Sequence, residues 1–119
     1  MEIGIAYKSK WGLECTVKNI SVSVNGAKMT CSISYSIKNI TTDRVLSECT
    51  FNCMKQSGAS ARQYGFYGSL YPNESRTRSY TFDTLSSDPF VELKFVNTFD
   101  NEIVYPEAPD LVWDLAKSY

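Results

Sequence analysis

The chain has 119 residues, with 12 basic and 13 acidic side chains, four cysteines and no histidine. So balanced a charge offers no positive field to displace counterions, which argues against nonspecific nucleic-acid binding, and no apolar run approaches the roughly 18 residues of a membrane span. Without histidine, Ser–His–Asp and Cys–His nucleophile systems are excluded, so the chain reads as non-enzymatic and without a cofactor.

Residues 1–12 hold Ile3, Ile5, Tyr7 and Trp11 in partial alternation and predict an edge strand or an arm. No basic segment followed by a long apolar core opens the chain, so no signal peptide is read; the cytoplasm is expected unless a leader has been removed. Residues 13–24 are the first clear strand. Asn25-Gly26 then gives a hairpin signal, because type I′ turns need positive φ at both central residues. Pairing across it sets Val24 opposite Ala27, Val22 opposite Met29 and Ile20 opposite Cys31. Upstream of Lys18-Asn19 the parity breaks. A one-residue bulge there would return Leu13, Cys15 and Val17 to the inward face.

Residues 28–39 are the stretch against which the others are registered. Met29, Cys31, Ile33, Tyr35 and Ile37 alternate with Thr30, Ser32, Ser34, Ser36 and Lys38. A strand turns these into one apolar face and one hydroxyl face, whereas a helix would bury the serines. Residues 40–44 are turn-rich, and 45–54 form a strand with Cys49, Phe51 and Cys53 on one face. A simple hairpin about Thr42 would set Ile33 against Phe51 and Cys31 against Cys53; an immunoglobulin-type topology would send the two strands to opposite sheets. On one extended strand Cys49 and Cys53 lie about 13 Å apart, too far to share a metal. The cysteines read as buried thiols, neither ligands nor disulfides.

After the loop at 56–60, residues 62–71 read R-Q-Y-G-F-Y-G-S-L-Y, four aromatics with two glycines. These rings either cap the core or form an exposed patch for a partner, tyrosine being enriched at interfaces. Tyr71-Pro72-Asn73-Glu74 is a turn. In the strand at 76–82, Arg78, Tyr80 and Phe82 share a face. Residues 90–99 form a strong strand with Val91, Leu93 and Phe95 inward and Glu92 and Lys94 outward. A short strand is expected at 103–105, ended by Pro106 and Pro109. Residues 110–118 are ambiguous between a short helix and a terminal strand. Asn19, Asn39 and Asn73 begin N-x-Ser/Thr triplets, read as chance matches in a Ser/Thr-rich chain.

About seven short strands separated by turn signals predict an all-β fold, an immunoglobulin-like antiparallel β-sandwich. One domain is expected over 1–119, with 1–12 as arm or edge strand and 106–119 as a C-terminal extension. Three stretches carry a family resemblance: I-S-Y-S-I-K-N at 33–39, L-Y-P-N-E at 70–74 followed by Y-T-F at 80–82, and V-E-L-K-F at 91–95. Over roughly 13–105 the chain resembles small bacterial immunoglobulin-like domains of uncharacterised function. Asn73 stands where that group carries glycine, and asparagine tolerates the left-handed φ. The resemblance implies the fold and brings no catalytic residue; members of the group are often exported or lipid-anchored.

Glu48, Asp83, Asp88, Glu92 and Glu102 are scattered along the chain, and no spacing pairs two of them for acid–base work. Rigid rings beside arginine, in contrast, are the composition of binding hot spots. Arg62, Tyr64, Tyr67 and Tyr71, with Arg76, are therefore the expected contact with a protein partner. The expected function is a non-catalytic protein-binding module acting through that surface, with no metal, no nucleic acid and an open oligomeric state. Two alternatives stand beside it. One is a small stand-alone phage or prophage inhibitor of a host defence enzyme. The other is a carbohydrate-binding sandwich using exposed Trp11, Tyr64, Tyr67 or Trp113.

Overall fold

The computed structural model describes residues 1–8, 12–100 and 111–115; the side chains of Glu48, Arg62, Tyr64 and residues 96–100 lie outside the described set. The described strands are β1 (Ala6–Lys8), β2 (Leu13–Asn25), β3 (Lys28–Asn39), β4 (Leu46–Lys55), β5 (Ser60–Leu70), β6 (Ser75–Leu85), β7 (Phe90–Asp100) and β8 (Leu111–Asp114). They form two antiparallel sheets with strand orders β1-β2-β3-β6 and β5-β4-β7-β8. This is the predicted all-β sandwich. The chain changes sheets after β3, after β5 and again after β6. The hairpin about Thr42 is therefore not formed: β3 and β4 face each other across the core, where the Tyr35 and Phe51 rings meet edge-to-face at 5.7 Å.

The alternation in β3 does what period-two patterning requires, with Met29, Cys31, Ile33, Tyr35 and Ile37 all buried. The register of β2 shifts between Val17 and Asn19, and this bulge at Lys18 carries Leu13, Cys15 and Val17 inward beside Ile20. Beyond the bulge, the hairpin register differs from the expected one. Asn25 pairs with Lys28, so Val24 faces Met29, Val22 faces Cys31 and Ile20 faces Ile33. Gly26 and Ala27, and not Asn25 and Gly26, are the central turn residues. Positive φ at Gly26 (64°) without positive φ at Ala27 is the type II′ pattern, which needs glycine only at its first central position. The ladder has moved by two residues along β3. Parity is unchanged, so the same side chains face inward.

Aromatic rings fill the space between the sheets. Tyr35 packs against Phe51 and Phe95, Phe51 against Phe82, and Phe95 against Trp113. The Tyr35 hydroxyl donates to the Gly65 carbonyl at 2.7 Å, which lets a phenol sit fully buried without an orphaned polar atom. In β7, Leu93 and Phe95 are buried as expected, but Phe90 takes the inward place expected for Val91. The register against β4 shifts between Met54 and Lys55, and this irregularity turns Phe90 into the core.

Leu111–Asp114 is a strand and not a helix, pairing with β7 from Phe95↔Leu111 to Glu92↔Asp114. The expected strand at 103–105 lies outside the described residues. All four cysteines are buried thiols without a disulfide, and burial pushes Cys31 up to about 11 and Cys53 up to about 12. The first residues strap the two sheets together along one side. Gly4 N–H donates to Val17 O on β2 at 2.8 Å, the Met1 amino group donates to Val112 O at 3.3 Å, and the Trp113 indole N–H donates to Glu2 O at 3.4 Å.

Candidate functional site

The expected partner surface lies at one end of the sandwich, where β5 runs into β6. Tyr71-Pro72-Asn73-Glu74 forms the turn between them. Proline at its second position fixes φ, Asn73 at its third takes φ 69°, and Glu74 N–H donates to Tyr71 O at 3.0 Å. That is a type II turn with asparagine in glycine's usual place. The Glu74 carboxylate then accepts the Tyr71 N–H at 2.8 Å, closing the turn from both sides.

Beneath the turn lies Asn39, the last residue of β3 and fully buried. Its side-chain amide donates to Leu70 O and to Arg44 O, each at 2.8 Å. Its side-chain oxygen accepts the Thr41 N–H at 2.9 Å and the Thr41 hydroxyl at 2.7 Å. Its backbone N–H donates to Glu74 O at 3.0 Å, and its carbonyl accepts the Asn73 N–H at 2.9 Å. The carboxamide thus joins the end of β3 to the β3–β4 connection and the end of β5, and the backbone of the same residue holds the turn into β6. Every polar atom of Asn39 is satisfied, so its burial adds rigidity without an unpaired-group penalty.

Along β5 the ladder with β4 is irregular, with register shifts between Leu46 and Glu48 and between Cys49 and Thr50. Gly65 explains part of this: a Cβ there would come within 2.9 Å of Cys49 Sγ and 3.1 Å of the Phe95 ring. Only glycine lets the backbone lie that close to the core. The rings of this stretch consequently divide. Phe66 and Leu70 are buried, while Tyr67 is 71% exposed and Tyr71 55% exposed. Neither the core-cap reading nor the patch reading holds for the whole segment.

Arg76 is tied to the same stretch. Its guanidinium donates to Ser75 O at 3.0 Å and to Ser69 O at 3.4 Å, and lies 3.8 Å from the Glu74 carboxylate. The Glu74 carboxylate accepts the Tyr71 N–H and faces Arg76, so the structure brings Tyr71 and Arg76 together, with exposed Tyr67 two residues before Ser69 on the same strand. Arg62 and Tyr64 occupy ladder positions opposite Asn52 and Thr50, farther along β5, and their side chains lie outside the described residues. Trp11 lies outside them as well. Trp113 is fully buried against Tyr7 and Phe95, because pairing with β7 turns it inward; it cannot serve as an exposed stacking platform for a sugar.

Sequence reasoning missed Asn39, taking its N-x-Thr triplet only as a chance glycosylation match. The buried carboxamide is inaccessible to such modification. The signal that could have found it is an Asn ahead of a turn-rich I-T-T-D segment, where an Asx turn to the second following N–H is common. Among the described residues, no group of three or more Cys, Asp or Glu is arranged to hold a metal ion, and no helix is long and apolar enough to cross a membrane.

Compared with known proteins, the chain matches no family model and no curated protein. It is similar in structure to a crystallographic target of the Northeast Structural Genomics Consortium, SoR45. The TM-score is 0.54 at 15% sequence identity, covering 89% of this chain and 87% of that one. A likeness at that identity extends to the fold alone.

Proposed function

We propose that the chain is an immunoglobulin-like, non-catalytic protein-binding module that contacts its partner through Tyr67, Tyr71 and Arg76, with Arg62 and Tyr64 continuing the surface along β5. The exposure of two tyrosines beside a tethered arginine, on a turn rigidified from below by Asn39, carries this reading. Large rings held rigid in the unbound state lose little entropy on association, which is why Tyr and Arg dominate hot spots. The strand order supports the immunoglobulin-like part of the reading. β2, β3 and β6 take the places of the first, second and fifth strands of that Greek key, facing β4, β7 and β8. β5 departs from the constant-domain pattern by pairing with β4 and not with β6. The resemblance to small bacterial domains of this kind agrees with that order.

The test replaces Tyr67 and Tyr71 together by Ala and measures thermal unfolding and capture of the partner retained by the unchanged protein. A folded double variant with an unchanged melting point and binding weakened by about thirtyfold or more is expected, as for a pair of hot-spot residues. Undiminished binding would discard the surface, and so would a loss of stability large enough to account for the lost binding.

A further inference from the structure

Each sheet edge of a sandwich displays unpaired N–H and C=O groups, and folded proteins blunt such edges. Four edges here are blunted. β1 and β8 have three and four residues. β5 is interrupted by two register shifts. β6 places Arg76 and Arg78 at the inward parity of Tyr80 and Phe82, and Arg76 reaches across to Ser69 O on β5. A fifth edge is different. β1 covers β2 only at Glu14–Thr16, and Gly4 extends this to Val17. Beyond the bulge at Lys18, no described residue pairs with the outer side of β2.

The open stretch, Ile20-Ser21-Val22-Ser23-Val24, pairs with β3 without a register shift, is free of proline and is uncharged. The two-residue turn makes Asn25 and Lys28 a hydrogen-bonded pair, so N–H and C=O groups along β2 alternate from there. Ser21 and Ser23 bond to β3, while Ile20, Val22 and Val24 direct theirs outward. The same alternation places the Ala27 carbonyl on the β6 side, where it accepts the Ser86 N–H at 2.8 Å. Val22 and Val24 are also 39% and 63% exposed although their parity is inward.

We infer that this edge pairs with the same edge of a second copy of the chain, antiparallel and two-fold about Val22. In that register Val22 meets Val22, Ile20 meets Val24 and Ser21 meets Ser23, so apolar residues face apolar residues and hydroxyls face hydroxyls. The three outward-facing residues become hydrogen-bonded pairs with those of the copy. Lys18 falls opposite Gly26, so no like charges oppose. Length fits as well: the copy's turn, Gly26–Ala27, arrives opposite Lys18 and Val17, where the strap from Gly4 begins. The two β1-β2-β3-β6 sheets then continue into one another through their β2 strands.

The test is sedimentation velocity of the full chain over a concentration series. A reversible dimer that dissociates on dilution is expected. Val22→Lys sets two lysines opposite each other at the two-fold axis and weakens association by about tenfold or more, as does Val22→Glu. An equimolar mixture of the two variants restores the dimer. Val22→Pro removes an outward N–H without touching the β3 ladder and gives a folded monomer by circular dichroism. A wild-type chain that stays monomeric at the highest concentration overturns the inference. So does a dimer that persists in Val22→Lys, or a mixture of the Lys and Glu variants that stays monomeric.

Discussion

The two ends of the sandwich are held by different physics. At the end carrying Tyr71, a buried asparagine supplies side-chain hydrogen bonds to two other chain segments, and the turn above it is closed by backbone and carboxylate together. At the opposite end the β2–β3 hairpin is exposed on both faces from Ser21 to Lys28. It is held by its ladder and by surface contacts: Thr30 hydroxyl to Asp83 at 2.7 Å, Ser86 hydroxyl to Gly26 O at 3.1 Å, and a solvent-exposed Lys28–Asp83 pair at 3.5 Å. Exposed ion pairs contribute little, whereas breaking a buried network leaves partners unsatisfied. Rigidity should therefore be concentrated at the tyrosine end and adaptability at the hairpin.

The largest expected effect that could break this contrast is at Asn39. Replacement by Ala removes the amide donor to the Leu70 and Arg44 carbonyls and the acceptor of the Thr41 N–H and hydroxyl, and the loss of these four bonds should cost about 3–5 kcal/mol in urea unfolding. A loss under about 1 kcal/mol would mean that the end is not pinned as described. Ile33→Ala, in the core between the two ends, should cost about 2–4 kcal/mol through lost burial and a cavity, and it calibrates both. Gly65→Ala should cost about 1–3 kcal/mol by overpacking against Cys49 and Phe95. Val24→Ala at the hairpin should change stability by less than about 0.5 kcal/mol.

The smallest effect is acid sensitivity. At the hairpin end, the Ser57 hydroxyl and N–H, both bonded to Asp88, hold its carboxyl below the usual 3.8. A depressed folded pKa stabilises above the unfolded value, and that contribution is lost as pH falls through the folded value. Amide exchange at Ser57 should therefore be pH-independent in its protection down to about pH 4 and lose protection below it. Asp88→Asn should remove that step.

Much of the fold was legible because parity is robust. β3 was readable residue by residue, and the bulge at Lys18 followed from a parity break within β2. The hairpin register was not, because Asn-Gly signals a type I′ turn while the chain uses glycine for II′; the two differ by a whole pleat and bury the same side chains. The site was half legible. Composition marks 62–71, but which rings turn outward depends on how Gly65 packs against Cys49 and Phe95, partners on two other strands. Asn39 was hidden for a similar reason, one of its two partner carbonyls lying 31 residues away at Leu70. β8 resisted a local reading because its strand character comes from its pairing with β7.

The strap formed by the first residues has a consequence for the order of folding. Met1 bonds to Val112 and Glu2 to Trp113, 111 positions apart in each case. Loop-closure entropy makes such contacts slow to form, and they cannot exist until the strand bearing them has left the ribosome. A nascent chain can assemble the β2–β3 hairpin early, from neighbours in sequence. The side of the sandwich where the strap lies must then remain open until β8 arrives, so closure of that seam is among the last events of folding.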